Sequence, residues 1–376
     1  MKPHNVSDPR HLDTIFKPAP TSLFSGFAIA ALFTAFLLCG CKEVPDIPED
    51  DLTIGLEGWE ISKSTYDFDI NPRDMYFVNE NIGFVVGYKG KIYKTTNSGT
   101  TWQKLNSGTT IHLYSVYFID ENVGFVSGQA MSGCLDADCD KGSVFLKTTD
   151  GGDTWTKTFV PEFIRILSLK FFDPMNGIAV IHKPDISSSR DEYVATTSDG
   201  GSTWNLIDLG IKPYSYELFY VDNLVFVAGE NNQIFKSSDY GHSWQTISTP
   251  VEANHDVRNI YFYNENIGYI DGISHIYKTI DGGLNWEETS FPFTYFGTFH
   301  FSSENEGFNI QPIAVYEGLD FPTFKGSISY ETLDGGITWT KSELMKSLYL
   351  GLTFFPRKDL GYGFNFSEFS IIKKKE

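Results

Sequence analysis

Six short segments of the sequence carry a carboxylate or carboxamide side chain in the same place, and each segment ends in tryptophan. In the octet at residues 279–286, Asp281 stands third, glycine fifth and tryptophan eighth. An oxygen acceptor in the third place can bind backbone N–H groups of a tight turn, while glycine supplies a conformation that a side chain would resist. We therefore interpret these residues as structural. They are Asn97, Asp150, Asp199, Asp239, Asp281 and Asp334.

The spacing of the octets predicts the fold. Their tryptophans are 53, 49, 40, 42 and 53 residues apart, a period typical of a four-stranded propeller blade rather than of a helical repeat. A second motif, first seen at residues 75–84, occurs seven times in all and alternates apolar with other residues around a polar turn. It predicts the first two strands of each blade, A and B. Strand C then precedes the octet, and strand D follows it.

The octet pattern, Ser/Thr-x-Asp-x-Gly-x-Thr-Trp, resembles the Asp-box (BNR) repeat. That repeat is found in sialidases, sortilin-like receptors, xyloglucan-degrading propellers and the photosystem II assembly-factor family. The combination of octets with seven A–B hairpins is most similar to the assembly-factor family, over residues 58–376. The resemblance implies a binding or assembly scaffold. It implies no photosystem client, because nothing in the sequence suggests a phototroph.

Seven A–B hairpins against six octets leave the last unit incomplete. Its strands are predicted at residues 349–355, 361–366 and 369–373, and no octet follows them. The seventh tryptophan, Trp59, lies in residues 58–62, which look like a D strand with no blade before it. Joining these ends would remove two exposed edges that invite aggregation. We therefore predict an all-β fold, a seven-bladed β-propeller of four-stranded antiparallel blades, with the N-terminal strand joining the C-terminal blade to close the ring.

The face that carries the B–C loops is the predicted working face. Its longest loops are residues 128–142, 182–192 and 310–326, and long loops in a compact repeat often carry function. On the same face, several A strands, which line the central channel, begin near arginine or tyrosine, residue types that favour recognition surfaces. The candidate binding residues are Arg73, Tyr114, Arg165, Tyr216 and Arg258. The alternative is that these residues solvate the rim or pair with nearby carboxylates.

Two classes of sugar-cleaving enzyme are alternatives to a binding scaffold. A sialidase would need an arginine triad and six blades, and residues 163–166 match the Phe-Arg-Ile-Pro signature of that family only in part. A two-carboxylate glycosidase stays open because the separation of its carboxylates is not readable from sequence. We predict no catalytic residues and keep a glycan-binding or glycan-cleaving surface lipoprotein as the alternative. Loop aromatics that could stack on sugars are Tyr214, Phe293, Tyr295, Tyr316, Phe321 and Phe324.

Cys134 and Cys139 lie in the predicted loop of the second blade. In an oxidising compartment they are expected to form a disulfide. The nearby acids, residues 136–140, resemble the start of a calcium loop, but Lys141 and Lys147 stand where such a loop needs glycine and glutamate. The sequence has neither a zinc-type His/Cys spacing nor a phosphate-binding glycine loop outside the octets. We therefore predict no metal site and no cofactor.

The N-terminal segment has the composition of an export signal. A charge-free apolar run at residues 23–38 fits a secretory signal better than a membrane span. Residues 38–41, Leu-Cys-Gly-Cys, resemble the bacterial lipobox, which implies that Cys41 is lipidated; the alternative is an uncleaved anchor. The predicted divisions are a signal peptide at 1–40, an acidic tether at 41–57 and the propeller at 58–376.

Charge and location limit the predicted partners. The chain has 48 acidic and 29 basic residues and a net charge of −19, so nucleic acid is excluded for want of a basic stripe. The acidic tether resembles the surface-export signal of Bacteroidetes lipoproteins. We predict an outer-membrane lipoprotein, facing the periplasm or the cell surface, with a protein or glycan partner. Contact with the membrane is expected only through the lipid.

Overall fold

The computed structural model describes most of the chain that follows the predicted tether. The described residues are 59–63, 68–129, 142–160, 165–183, 192–209, 218–228, 232–251, 257, 259–271, 275–289, 298–315, 323–346, 352–357, 359–365 and 368–374. Regular structure in these ranges is β-strand apart from one 3-10 turn, Tyr88–Gly90. No helix within them is long and apolar enough to cross a membrane.

The strands form seven sheets of four, and every pairing is antiparallel. In chain order the strands are β1 (Trp59–Lys63), β2 (Pro72–Phe77), β3 (Gly83–Gly87), β4 (Lys91–Thr95), β5 (Gln103–Asn106), β6 (His112–Phe118), β7 (Gly124–Gln129), β8 (Ser143–Thr148), β9 (Thr156–Val160), β10 (Arg165–Phe171), β11 (Gly177–His182), β12 (Glu192–Thr197), β13 (Asn205–Ile207), β14 (Leu218–Val221), β15 (Leu224–Ala228), β16 (Gln233–Ser237), β17 (Gln245–Ser248), β18 (Asn259–Phe262), β19 (Gly268–Asp271), β20 (Ile276–Thr279), β21 (Glu287–Glu288), β22 (Thr298–Phe301), β23 (Gly307–Val315), β24 (Thr323–Thr332), β25 (Thr340–Lys346), β26 (Leu352–Arg357), β27 (Leu360–Asn365) and β28 (Glu368–Lys374).

Six sheets follow the chain, and the seventh draws on both of its ends. Sheets one to six take four consecutive strands each, from β2–β5 to β22–β25. Sheet seven has the order β26, β27, β28, β1. Strand β1 pairs with β28 from Trp59 opposite Lys374 to Lys63 opposite Ser370. The predicted all-β class and the seven four-stranded antiparallel sheets are therefore confirmed.

The glycine that opens strand B makes room for an aromatic ring on strand A. In sheet three, Phe171 lies opposite Gly177 in the strand register. A Cβ atom added to Gly177 would lie only 2.7 Å from the Phe171 ring. Five further sheets repeat this arrangement, with Gly83, Gly124, Gly268, Gly307 and Gly361 beneath Phe77, Phe118, Phe262, Phe301 and Phe355. A side chain at these glycines would displace the ring, so the recurring Gly is a packing requirement.

These rings also join each sheet to the next. Phe171 stacks on Phe125 of sheet two at a centroid distance of 3.6 Å, and Trp204 meets it edge-on at 6.1 Å. Each other pair of successive sheets also has a ring contact, for example Phe84–Phe118, Phe172–Tyr240, Phe226–Phe262, Tyr269–Phe301, Phe308–Phe355 and Tyr362–Phe77. Sheet seven thus contacts sheet one. Each aromatic pair contributes about 0.5–1.5 kcal/mol beyond its buried area.

One predicted loop is wrong in part. Residues 310–326 were expected to be irregular, but β23 runs to Val315 and β24 begins at Thr323. Their register continues from Ile310 opposite Ser329 to Val315 opposite Thr323. Because the strands extend, their backbone N–H and C=O groups hydrogen-bond across the sheet. An irregular loop of that length would not provide these hydrogen bonds. The last residue of each octet, its tryptophan, lies directly before strand D: β5, for example, begins at Gln103, directly after Trp102.

Candidate functional site

Bulges in the first strands place the candidate residues. The ladder of β2 with β3 shifts between Pro72 and Asp74, so Arg73 is the extra residue. The ladder of β6 with β7 shifts in the same way around Tyr114. A bulge bends its strand and redirects the side chain of the inserted residue. Both side chains therefore lie at the end of their sheet that carries the B–C loops.

Arg73, Tyr114 and Arg165 come together across sheets one, two and three. The Cζ atoms of Arg73 and Arg165 each lie 5.6 Å from the centre of the Tyr114 ring. Arg73 also lies 4.4 Å from the Tyr88 ring and donates an Nη2 hydrogen bond to the Tyr88 hydroxyl. All three of these distances from a guanidinium carbon to a ring centre are within the range of cation–π attraction. Two guanidinium groups therefore share one tyrosine ring.

Arg73 is unusually buried for a charged residue. Arg73 is only 8% exposed, and its Nε has no hydrogen-bond partner among the described residues. Burial lowers the pKa of Arg73, and the charge of Arg165 lowers it further. Within the described ranges, no carboxylate forms an ion pair with Arg73. A buried cation of this kind favours an anionic partner, since an unpaired buried charge is costly.

Two histidines complete the surroundings of the arginines. His112 stacks on Tyr88 at 4.3 Å, and its Nδ1 accepts a hydrogen bond of 3.2 Å from the Lys89 N–H. Burial and then the charges of Arg73 and Lys89 lower the pKa of His112. His182 lies opposite Arg165 in the register, and burial followed by Arg165 lowers its pKa. Both imidazoles are thus neutral near pH 7. We name Arg73, Tyr88, His112, Tyr114, Arg165 and His182 the arginine cluster.

Sequence reasoning found half of this cluster. Arg73, Tyr114 and Arg165 were predicted, whereas Tyr88 and the two histidines were not. Tyr88 opens the 3-10 turn after β3, and the positive φ of 58° at Lys89 and 67° at Gly90 closes that turn. The predicted pairing of strand A with strand B could have indicated His182, because it sets this residue opposite Arg165.

The remaining predicted site residues lie outside the described residues. These are Tyr216, Arg258, Cys41, Cys134 and Cys139. Among the loop aromatics, Phe324 falls within β24, and the other five lie outside the described ranges. The described part of the chain contains no group of three or more His, Cys, Asp or Glu residues that could hold a metal ion.

The octets form a second recurring arrangement at the opposite ends of the strands. In sheet two, Asp150 Oδ1 accepts hydrogen bonds from the Thr148 hydroxyl at 2.7 Å and the Thr154 N–H at 2.9 Å. Its Oδ2 accepts one from the Thr154 hydroxyl. The Thr148 oxygen in turn accepts the N–H of Gly152 at 2.8 Å. Hydrogen bonds, led by that from the Thr154 hydroxyl, lower the pKa of Asp150 to about 2. The side chains of Asn97, Asp199, Asp239, Asp281 and Asp334 make corresponding hydrogen bonds.

Lysines at the end of strand C reach from one sheet to the next octet, a contact that sequence reasoning missed. Lys94 Nζ donates a hydrogen bond of 2.7 Å to the carbonyl of Gly151 and lies 5.7 Å from the centre of the Phe84 ring. Lys236 repeats the contact with Gly282 at 2.8 Å. The sequence does contain a pattern that could have indicated this contact. A lysine stands directly before the first residue of four octets, at positions 94, 147, 236 and 278.

Asp74 is the one buried carboxylate of the described residues. Its two oxygens accept the N–H of Met75 at 2.8 Å and, across the sheets, the N–H of Val116 at 2.9 Å. Burial raises its pKa to about 7, and the two hydrogen bonds oppose the rise. Asp74 therefore ties the first strands of sheets one and two together.

Comparison with known proteins identifies the fold class. No family model matches the sequence, and no curated protein matches it. The fold is similar to that of YCF48 bound to a D1 peptide, with a TM-score of 0.61 and 16% identity, covering 86% of this chain and 99% of that one. YCF48 from Cyanidioschyzon merolae gives 0.59 and 14%, covering 84% and 99%. At these identities the likeness shows the fold alone. The fold is a β-propeller, as predicted.

A glycoside hydrolase has a similar fold over part of its length. The GH74 enzyme of Niastella koreensis gives a TM-score of 0.53 at 16% identity, covering 76% of this chain but 47% of the enzyme. The present chain thus spans about half of that enzyme.

Proposed function

We propose that the protein is a non-enzymatic propeller that binds an acidic segment of a partner protein through the arginine cluster. The observation that carries the proposal is the pair of guanidinium groups, Arg73 and Arg165, each 5.6 Å from the centre of the Tyr114 ring. Their positive charges reinforce each other, and a carboxylate bound beside the two groups would be attracted by both. The half-buried rings of Tyr88 and His112 would add apolar contacts beside the charge.

The surroundings of the two histidines and the likeness to a peptide-bound propeller bear on the kind of partner. His112 and His182 have lowered pKa values because they are buried beside positive charge. Proton transfer near pH 7 works best with a group whose pKa lies close to that pH. The likeness to YCF48 bound to a D1 peptide supports a peptide or protein as the partner.

The scaffold proposed for this site is a closed ring of seven Asp-box blades. Two observations support closure: the pairing of β1 with β28, and the stacking of Phe77 on Tyr362 at 3.8 Å, which joins sheet one to sheet seven. Closure would fix the relative positions of the first strands that carry Arg73, Tyr114 and Arg165.

The test compares binding of acidic peptides by matched variants. An Asp/Glu-rich peptide and its Asn/Gln counterpart are titrated against the wild type, Arg73→Gln/Arg165→Gln and Arg73→Lys/Arg165→Lys. The glutamine variant should bind the acidic peptide at least about tenfold more weakly, since a hydrogen bond to a charged group contributes about 1.5–3 kcal/mol. The lysine variant should be intermediate because it lacks the planar fork of arginine.

A control separates the cluster from net charge. Lys104 and Lys341 are exposed on β5 and β25, the fourth strands of sheets one and six, whereas Arg73 and Arg165 lie on first strands. Lys104→Gln/Lys341→Gln removes the same amount of charge and should bind as the wild type does. Equal loss in both glutamine variants, or none in Arg73→Gln/Arg165→Gln, would reject the site.

A glycan-binding role is the second candidate, favoured by the likeness to the GH74 enzyme and by the aromatic rings of Tyr88 and Tyr114 in the cluster. Xyloglucan is the direct probe. Release of reducing ends, or saturable binding that exceeds binding of the acidic peptide, would favour this role over the first.

Membrane attachment through Cys41 and a Cys134–Cys139 disulfide are proposed from the sequence. Metabolic labelling with a fatty acid should mark the wild type and spare Cys41→Ala. Thiol alkylation before and after reduction should reveal two protected cysteines. Label retained by Cys41→Ala would remove the first proposal, and alkylation of Cys134 without reduction would remove the second.

A further inference from the structure

Two adjacent octets expose aliphatic side chains to solvent. In the octet of sheet five, Ile280 is 71% exposed and Leu284 is 69% exposed. In the octet of sheet six, Leu333 is 77% exposed and Ile337 is 60% exposed. They exceed every other large hydrophobic side chain of the described residues in exposure. We name these four residues the octet patch.

The octet fold itself does not require these side chains. They occupy the second and sixth places of the motif, and the same places in the other four octets hold Thr96 and Thr100, Thr149 and Asp153, Ser198 and Ser202, and Ser238 and His242. Those octets make the same hydrogen bonds with polar residues there. Aliphatic side chains that are exposed in two neighbouring octets and replaced by polar ones in the other four are a candidate interaction surface.

The two octets belong to adjacent sheets, and acids lie near the lysine that reaches from one to the other. Lys278 ends the third strand of sheet five, and its Nζ lies 2.8 Å from where a Cβ on Gly335 of the next octet would be. Lys278 interacts electrostatically with Asp334, Glu287 and Glu304. Glu304 and Glu287 are exposed. Lys236, which donates a hydrogen bond to the Gly282 carbonyl, interacts in the same way with Glu265 and Asp281. The two lysines are thus outnumbered by five acids.

The octet acids remain ionised under ordinary conditions. Hydrogen bonds, led by that from the Asn285 side chain, lower the pKa of Asp281 to about 2. Asp334 also has a lowered pKa, where burial acts in the opposite direction and the hydrogen bonds from Thr338 outweigh it. The patch is therefore aliphatic at its centre and negative at its border.

This charge pattern selects among possible occupants. A second copy docked patch to patch would bring Asp281, Asp334 and Glu287 against acids of the same sign. An anionic bilayer would be repelled for the same reason. We propose that the octet patch docks a partner-protein segment that presents aliphatic side chains flanked by lysine or arginine.

The proposal concerns a different face from the arginine cluster. Arg73 lies at the end of β2 that adjoins the B–C turn, whereas the octets join the third and fourth strands at the opposite end of the sheets. Both sites can therefore be occupied at once, one by an acidic segment and the other by a basic one.

The test replaces the four aliphatic side chains of the octet patch by serine, the residue that the octet of sheet three has at the same places. The variant Ile280→Ser/Leu284→Ser/Leu333→Ser/Ile337→Ser gives octets five and six the side chains that Ser198 and Ser202 place in octet three. The probe is a fluorescent amphipathic peptide of leucine and lysine, with leucine–glutamate and serine–lysine peptides beside it, in about 0.15 M salt to limit long-range attraction. The leucine–lysine peptide should bind the wild type, and the four-serine variant should bind it at least about tenfold more weakly.

The variants separate the possible outcomes. The pairs Ile280→Ser/Leu284→Ser and Leu333→Ser/Ile337→Ser should each lose part of the binding with an unchanged thermal transition, because the replaced side chains are exposed. Arg73→Gln/Arg165→Gln should bind the leucine–lysine peptide as the wild type does, so failure of the arginine site leaves this result intact. Unchanged binding by the four-serine variant, or equal binding of the leucine–glutamate or serine–lysine peptide, would overturn the proposal. Self-association or binding to phosphatidylglycerol vesicles that disappears in the four-serine variant would also overturn it, in favour of another occupant.

Discussion

Replacement of Gly177 by alanine should destabilise the protein through a single clash. The new Cβ would lie 2.7, 2.8 and 2.9 Å from three atoms of the Phe171 ring, whereas carbon atoms pack best at about 3.5–4.0 Å. Phe171 cannot move freely, since it stacks on Phe125 at 3.6 Å and meets Trp204 edge-on.

The magnitude follows from those contacts. Forcing one extra methyl group into a packed core costs about 1–3 kcal/mol, and disturbance of the Phe125 stack adds to it about 0.5–1.5 kcal/mol. We expect the free energy of unfolding to fall by about 1.5–4.5 kcal/mol, the sum of the two contributions. At about 2 °C per kcal/mol for a long chain, the thermal midpoint should fall by about 3–9 °C.

The assay is a double-mutant cycle, in which the free energy of unfolding of the wild type, both single variants and the double variant is measured by chemical denaturation. Phe171→Leu frees space above position 177, so Gly177→Ala should cost less in that background than in the wild type. The interaction free energy should be about 1 kcal/mol or more. A Gly177→Ala variant within about 0.5 kcal/mol of the wild type, or strictly additive free energies in the cycle, would refute the packing role of this glycine.

Three further predictions concern the octets, the inter-sheet lysines and the terminal strand. The pKa of Asp150 is lowered to about 2, first by the hydrogen bond from the Thr154 hydroxyl, so its stabilising effect is complete above about pH 4 and is lost as pH falls towards 2. Asp150→Asn, which copies Asn97, should leave the thermal midpoint near neutral pH almost unchanged and flatten its fall in acid; an equally steep fall would contradict this. Lys94→Met should lower the free energy of unfolding by about 1 kcal/mol in urea titrations, because a hydrogen bond between sheets is lost; no change would show that the contact contributes nothing. Deletion of residues 59–63 exposes an edge of β28, so light scattering on heating should show earlier aggregation; a monomeric variant with the wild-type midpoint would count against closure by β1.

The repeat pattern predicted the sheets well because hydrophobic alternation and turn residues are local properties. The octets located the turn before each fourth strand in sheets one to six, and Trp59 pointed to the strand that completes sheet seven. Residues 310–326 were mistaken for a loop because apolar and polar residues there do not reveal where pairing stops. Only the register across β23 and β24 shows that the ladder continues.

The candidate site was harder to predict because it depends on contacts between sheets. Position along the first strands was enough to nominate Arg73 and Tyr114. The bulges that redirect these side chains have no clear sequence signal, and they decide which rings the guanidinium groups meet. Tyr88 was missed because its role comes from a short turn whose conformation the neighbouring Lys89 and Gly90 set.

The pairing of β1 with β28 affects the order in which the chain folds. Trp59 and its partner Lys374 are 315 residues apart in the sequence. During synthesis β1 emerges first and has no partner until nearly all of the remaining strands have been made. Contacts between residues so far apart in the sequence form slowly. The chain must lose much conformational entropy before these contacts stabilise it. The last sheet to form is therefore the one that contains the first strand, and β1 is an open edge for aggregation until β28 reaches it.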